Sequence, residues 1–548
     1  MKNISHEIPQ ERRNSSYEKP GSLSPLKKWL LLSVIILFVI VVRTRLLDLP
    51  LERDEGEYAY MGQLSLQGIP PYSEAYNMKF PGTNLMYAGI MALFGQTIRG
   101  IHLGLMLINC ATVVLLFYLT RKLVNDRAAV VAAGAYAVLS LSRSVVGFAA
   151  HATHFVALPA LVGALLLLTA LERNKPSLYF LSGAAFGLAY IMKQQGFFFF
   201  LFGASYALYC LRRSKSARSL KNAVSNLALL TTGALLPLFA VVIWIYTSGV
   251  FGKFWFWTVQ YAAKYETQVS LAQALDNFGY NFLFVADSFW LVWILSAFGF
   301  LVLLLDRDLP ARRMFIILFT VFSFLSICPG FYFRQHYFIT LLPAVSILAG
   351  IFVTYLDARC FALLKSPMLR FAGAGFFMVA VLIGMVHQKE YFIQKDPVSF
   401  YRDFYGLNPF FESVEIAKFI ESNSDKSDRI AVFGSEPQIY FYSRRLSASG
   451  HIYMYGLVEQ QDYALSMQKE MIREIEASHP KFIVVVSGSR SSTFIVGWRD
   501  NYIQGNYHLV GVVDIISSGK TVYQWYDEAK KYVVQSPSHV LIFERTSS

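Results

Sequence analysis

Long apolar runs alternate with short polar connections over the first 390 or so residues, and that pattern predicts a polytopic helical membrane protein. About twenty apolar residues are needed to cross the hydrocarbon core of a bilayer. Runs near that length predict about eleven spans, at 28–47, 99–120, 128–142, 152–171, 177–192, 196–211, 224–247, 283–305, 313–328, 337–357 and 370–387. A further apolar segment, 83–98, predicts a half-buried or interfacial helix inside the first outer loop. The pattern then changes. Phe411 to Ile420 reads as an amphipathic helix and Arg429 to Phe433 as a strand, followed by a turn at Gly434-Ser435-Glu436-Pro437. A second helix near 467–477 stops before Pro480 and leads into the apolar run Phe482 to Val486. Helix, turn and buried apolar run, twice over, predict a small α/β domain. The chain thus divides into a tail 1–27, a transmembrane domain 28–388 whose first outer loop is 48–98, and an α/β domain 389–548.

Composition agrees with this division: 55% of the 548 residues are hydrophobic and 16% aromatic, more than a soluble globular chain carries. A net charge of +13 raises the question of nucleic acid. The cations instead cluster in the short connections between apolar runs, at Lys27-Lys28, Arg121-Lys122, Arg173, Arg212-Arg213, Arg312-Arg313 and Arg359 to Arg370. That is the signature of cytoplasmic loops, so the N-terminus is expected inside and the α/β domain outside, periplasmic or extracellular. Cys110, Cys210, Cys328 and Cys360 stand singly in or beside apolar runs, in neither a disulfide framework nor a zinc-site spacing. The first run is too long for a signal h-region and lacks a small-residue cleavage site, so it is expected to stay as an anchor.

With that orientation, a distinctive set of ionisable residues faces outward. Arg53-Asp54-Glu55-Gly56-Glu57-Tyr58 follows the first span, and Met78-Lys79-Phe80-Pro81 follows in the same loop. If the first stretch is helical, Asp54, Glu57 and Tyr58 lie at i, i+3 and i+4 and share one face. Lys193-Gln194-Gln195 interrupts an apolar region, Arg334-Gln335-His336-Tyr337 opens a span, and His151 and His154 stand at the start of another. An acidic loop can be a solvated turn and a single cation can snorkel to the interface. Three cations beside an acidic loop on one face instead predict a cavity for an anion. Transfer of a sugar from a polyprenyl phosphate needs this inventory. The departing phosphate gains charge that Lys and Arg stabilise, and the acceptor loses a proton that a carboxylate can take. No P-loop, serine-hydrolase elbow or H-E-x-x-H helix is present. A transporter of lipid-linked sugars would explain the spans and cations equally well, but such proteins often show two related halves, and none is detectable. A non-catalytic scaffold would leave the Asp54 loop without a purpose.

Asp54-Glu55-Gly56-Glu57-Tyr58 with Lys79-Phe80-Pro81, then Lys193-Gln194, then His336-Tyr337 with Leu342-Pro343, resembles the bacterial branch of the protein O-mannosyltransferase superfamily (glycosyltransferase family 39). That group includes the lipid A aminoarabinose transferases and has the GT-C glycosyltransferase fold; the resemblance runs from about residue 30 to about 450. It implies Asp54 as the essential loop carboxylate, a general base or acceptor-orienting group, with Glu55 as a second candidate. It implies Tyr58 and Lys79 as donor-site residues, Lys79 facing the phosphate, and Lys193, Arg334 and His336 as phosphate or sugar contacts. The implied partners are a polyprenyl-phosphate sugar donor, membrane lipid, and a protein, lipid or glycan acceptor, without nucleic acid. No cofactor is required by this chemistry. A divalent metal stays an open question, with His151 and His154 as its candidate ligands, because relatives often place an acid where this chain has Ala150-His151-Ala152-Thr153-His154.

Overall fold

A computed structural model describes residues 22–213, 217–306, 312–365 and 369–546. Every expected span coincides with a helix: Pro25–Arg45, Ile98–Leu123, Asp126–Leu141, Ala152–Arg173, Pro176–Met192, Phe197–Arg213, Ala217–Thr247, Trp290–Leu305, Arg313–Leu325, Leu342–Leu364 and Ala372–His387. The chain is a multi-pass membrane protein. Among the described residues, however, five helices are long and apolar enough to cross a bilayer, or six if a bent pair counts as one span. By length and composition, six crossings at most stand against the eleven expected. The 13-residue Arg313–Leu325 and the 17-residue Pro176–Met192 extend only roughly 20 to 26 Å, against a core of about 30 Å. The expected span 283–305 is also revised. Its first residues belong to a separate helix, Leu271–Asp287, bent by 110° from Trp290–Leu305. Apolar residues continue across that bend, so hydropathy gives no sign of it. The segment 83–98 appears as the helix Gly82–Phe94, one side buried and the end of the other (Leu93, Phe94) exposed.

In the tail, six strands form one sheet among the described residues: β1 (Arg429–Phe433), β2 (Leu446–Ser447), β3 (Phe482–Val486), β4 (Tyr507–Ser517), β5 (Lys520–Trp525) and β6 (His539–Arg545). Their order is β2-β1-β3-β6-β4-β5. β2, β1 and β3 run parallel, and β6 joins them antiparallel to the β4–β5 hairpin. The carboxyl ends of β1 and β3 lead into Gly434-Ser435-Glu436 and Ser487-Gly488-Ser489, which border the main cavity of the molecule. Open sheets bind ligands in this position, outside the carboxyl ends of parallel strands.

The loop 48–98 carries the tail domain. Ser447 N donates to the Tyr60 hydroxyl (2.8 Å), Tyr76 N to Gly450 O (2.7 Å), and Arg429 grips Glu74 with two hydrogen bonds (2.7 and 3.1 Å). Gly56 lies against the backbone of the tail helix Gln438–Ser443, where an added Cβ would sit 2.6 Å from Gln438 N. Only glycine permits that approach.

Candidate active site

Asp54 sits in the first turn of the helix Arg53–Leu66, and the sequence explains why that helix begins there. Glu52 caps it: its side chain accepts from Glu55 N (3.0 Å), and Glu55 reaches back to Glu52 N (3.2 Å), a reciprocal capping box. Arg53 then points away to the tail, donating to Glu436 Oε1 (3.0 and 2.7 Å) and Asn408 Oδ1 (2.6 Å). With that anchor made, the i, i+3, i+4 face is left to the cavity, as the spacing predicts.

Lys79 meets that face. Its ammonium donates to Asp54 Oδ1 (3.1 Å), Glu57 Oε2 (2.7 Å) and the Tyr58 hydroxyl (2.9 Å), all three of its hydrogens being used. The sequence places Lys79 facing a phosphate; the structure holds its ammonium between two carboxylates at the cavity wall. Burial works to raise the Asp54 carboxyl, but Lys79, His151, His336 and Arg334 together outweigh it and hold Asp54 well below the usual carboxylate range. Glu57 shares the same lysine yet is pushed up to about 7, chiefly by burial and further by Asp54. Two acids around one cation thus hold their protons very differently. Glu57 was visible in the sequence as part of the shared face, but it was not singled out. Its distinction comes from burial, which spacing does not report.

Lys193 arrives from another direction. The helix Gly82–Phe94 starts against the end of Pro176–Met192, with Gly82 so close that a Cβ would lie 2.4 Å from Ile191 O. Thr83 Oγ1 donates to Met192 O (2.7 Å) and Gln194 Nε2 to Met78 O (2.8 Å). This junction brings Lys193 and Lys79 to one wall. Lys193 Nζ rests 3.8 Å from the centre of the Tyr337 ring and has no carboxylate partner among the described residues. Burial pushes its ammonium well below the usual lysine range, and the nearby Lys79 adds to this. Arg334 donates to the Tyr265 hydroxyl (3.1 Å) and likewise has no carboxylate partner there. Lys193 and Arg334 thus border the cavity without a carboxylate partner among the described residues.

His336 is brought in, stacked on His151 with ring centres 4.1 Å apart and planes 12° from parallel. His151 Nδ1 lies 3.8 Å from both Asp54 Oδ2 and Glu52 Oε1. Both its nitrogens are buried without a hydrogen-bond partner among the described residues, and burial holds it at about 4. Asp54, His151 and His336 present ligand atoms within 4.8 Å of one another. Two imidazoles and a carboxylate suit a divalent ion such as zinc, and the orphaned His151 nitrogens are what such a ligand set leaves exposed. His154, the other histidine named from the sequence, is buried in its helix and does not join them.

Glu55 lies outside both cavities described below. It accepts from Ala150 N (2.6 Å) and sits 3.0 Å from His102 Nε2, fixing the segment that carries His151. Tyr453, from the tail, donates to Asp54 Oδ1 (3.3 Å), a contact across 399 residues that no local pattern announces. Asp54, Glu57, Tyr58, Lys79, Lys193 and Arg334 all border one cavity of about 1070 Å³ between the membrane helices and the tail sheet.

Residues 78–244 match the family model described as dolichyl-phosphate-mannose-protein mannosyltransferase. Among solved structures, the chain is similar to ArnT from Cupriavidus metallidurans bound to undecaprenyl phosphate, with a TM-score of 0.59 and 16% identity, over 95% of this chain and 98% of that one. It is also similar to the Archaeoglobus fulgidus oligosaccharyltransferase in the apo form, with a TM-score of 0.54 and 12% identity, over 92% of this chain and 75% of that one. The same archaeal enzyme, AglB, in complex with an inhibitory peptide and a dolichol-phosphate, matches at a TM-score of 0.54. The chain has the GT-C fold. The resemblance drawn from the loop motifs holds. No curated protein matches the sequence.

Proposed function

We propose that this protein transfers one sugar from a polyprenyl-phosphate donor to an acceptor hydroxyl or amine at the extracytoplasmic face, with inversion at C1. One observation carries the reading: the Asp54 carboxylate, ion-paired to Lys79, borders the same cavity as Lys193 and Arg334, two cations with no carboxylate partner among the described residues. The undecaprenyl phosphate held by ArnT and the dolichol-phosphate held by AglB support a polyprenyl-phosphate donor.

In the reaction, the acceptor oxygen or nitrogen forms a bond to C1 while the bond from C1 to the phosphate oxygen breaks. The electron pair of that bond leaves on the lipid phosphate, whose added charge Lys193 and Arg334 stabilise. The acceptor proton passes to Asp54. A weakly basic carboxylate suffices, because bond formation to C1 makes the acceptor proton strongly acidic before it is taken. Tyr58 and Glu57 hold Lys79, and Lys79 holds Asp54 in place. A divalent ion held by Asp54, His151 and His336 would supply further positive charge beside the reacting groups.

Two expected results test this assignment. Lys193→Ala and Arg334→Ala should each weaken binding of undecaprenyl phosphate by the purified protein about tenfold to a hundredfold, the range of a lost charge-assisted hydrogen bond. Unchanged affinity in both would remove the phosphate from this wall. Orientation is tested separately: a reporter fused after Gln388 should be active only outside the cytoplasm, and one after Arg173 only inside. A tail reporter active in the cytoplasm would put the cavity on the wrong side for this function.

A further inference from the structure

Two cavities reach Asp54, the main one of about 1070 Å³ and a second of about 600 Å³. Four residues that border only the larger each hold a buried polar atom without a hydrogen-bond partner among the described residues. These atoms are Gln195 Oε1, Trp257 Nε1, Gln268 Nε2 and His451 Nδ1. The transfer proposed above uses the carboxylate and the cations of this cavity and gives these atoms no task. Buried polar atoms are nearly always paired, so a set left alone at one cavity wall calls for a partner that arrives with the ligand.

Trp257 and His451 stand together, and both are more than nine-tenths buried. Their ring centres are 5.6 Å apart. Tyr76 packs on both, stacked on the indole (5.6 Å, 24°) and edge-on to the imidazole (5.0 Å). Trp257 comes from a π-helical turn, Phe256–Tyr261, a form that recurs at functional sites, and His451 comes from the tail. Behind the rings, Glu474 accepts from the Tyr76 hydroxyl (2.6 Å) and Glu470 is paired with Lys253. Two carboxylates against one cation make this corner unfit for an anion. Glu470 Oε2 also lies 3.1 Å from His451 Nε2. A carboxylate only accepts, so Nε2 carries the hydrogen and Nδ1 of the neutral ring is left as an acceptor. The indole Nε1–H only donates. An ammonium cannot accept from the indole and a carboxylate cannot donate to the imidazole, whereas a hydroxyl does both. The pair also stands beside the site of transfer. Tyr453, which donates to Asp54 Oδ1, is two residues from His451, and two residues span at most about 7 Å.

Resting on the function proposed above, we infer that Trp257 and His451 select the donor's sugar by one hydroxyl, which accepts from the indole Nε1–H and donates to the imidazole Nδ1. The sugar is therefore uncharged at that position. Gln195 stands two residues from Lys193, so the unpaired set runs from a phosphate-binding cation towards the tail, as a sugar attached to that phosphate does. Gln195 Oε1 and Gln268 Nε2 offer one further acceptor and one further donor to the same ring.

The test is equilibrium binding to the purified full-length protein of undecaprenyl phosphate, bare or carrying mannose, glucose or galactose. In the parent, at least one hexose should tighten binding over the bare lipid phosphate by about tenfold. Trp257→Phe keeps an aromatic ring and loses the N–H, and His451→Gln keeps a donor for Glu470 and loses the Nδ1 acceptor. Each should weaken binding of that hexose donor about threefold to tenfold, the range of a lost neutral hydrogen bond. Affinity for bare undecaprenyl phosphate should stay at the parent's value, which also shows that the variants are folded. Monodeoxy analogues of the hexose then locate the contact. The analogue without the selected hydroxyl should bind the parent weakly and be indifferent to both substitutions, a coupling that a double-mutant cycle measures. Hexose affinity untouched by both substitutions overturns the inference, and so does a parent that binds the bare lipid phosphate but gains nothing from any hexose. Equal losses with and without the sugar assign the pair to the phosphate and also overturn it. Tighter binding of an amino sugar or a uronic acid on the same lipid, lost in Trp257→Phe, overturns the choice of an uncharged group. A parent that binds none of these ligands would instead sink the proposed function.

Discussion

Asp54→Asn should insert and fold like the parent yet transfer sugar about a hundredfold to ten-thousandfold more slowly, the usual cost of losing a positioned base. The amide keeps the shape of the carboxylate and can still accept from Lys79 and Tyr453, so the local packing survives. What disappears is the negative charge and the site that takes the proton. With it goes the repulsion that helps to push Glu57 up to about 7, so Glu57 becomes the ionised partner of Lys79 and the lysine stays paired. Glu55→Gln is the control. It lies one residue away, faces His102 and Ala150 N instead of the cavity, and can still accept at both, so transfer should fall far less. The measurement is transfer from a labelled polyprenyl-phosphate sugar in membranes, normalised to inserted protein. Near-parental transfer by Asp54→Asn would return the loop to a capped helix start with no chemistry.

The face that holds Asp54, Glu57 and Tyr58 could be read from spacing alone, because a helix fixes which residues are neighbours at i+3 and i+4. The capping box at Glu52 and Glu55 has the same local origin, and Glu55 contacts His102 and Ala150 N and borders neither cavity. Where a site is closed by contacts between distant segments, spacing is silent. The stack of His151 on His336 joins residues 185 positions apart, and Tyr453 reaches Asp54 from another domain. His154 was paired with His151 by proximity in sequence, but three residues along a helix start turned it into the protein interior. The tail shows the same limit. β1 and β3 stand out as continuous apolar runs, as buried parallel strands do. β5 and β6 mix polar with apolar residues because one side of the sheet is solvated there, and they went unread.

The same distinction changes the meaning of Lys79, whose replacement by alanine should be as damaging as any at this site. The side chain lies between two carboxylates, with 18% of it exposed against 21% for Asp54 and 5% for Glu57. Removing one partner of a buried ion pair leaves an uncompensated charge and costs about 3 to 5 kcal/mol. Glu57, already the acid that holds its proton more readily, then takes one up, while Asp54 loses the hydrogen bond that aims it. Lys79→Ala should therefore lower the thermal stability of the membrane-inserted protein and reduce kcat by about a hundredfold or more. Affinity for undecaprenyl phosphate should barely change, since the lysine is not free to bind it. Lys79→Arg should recover stability better than rate, because a planar guanidinium cannot donate to Asp54, Glu57 and Tyr58 in the same three directions. Adding Asp54→Asn to Lys79→Ala removes the orphaned charge and should restore much of the stability without restoring kcat, a coupling that a double-mutant cycle measures directly. If Lys79→Ala instead loses donor affinity with kcat and stability intact, the lysine serves the phosphate and the paired-carboxylate account of the site fails.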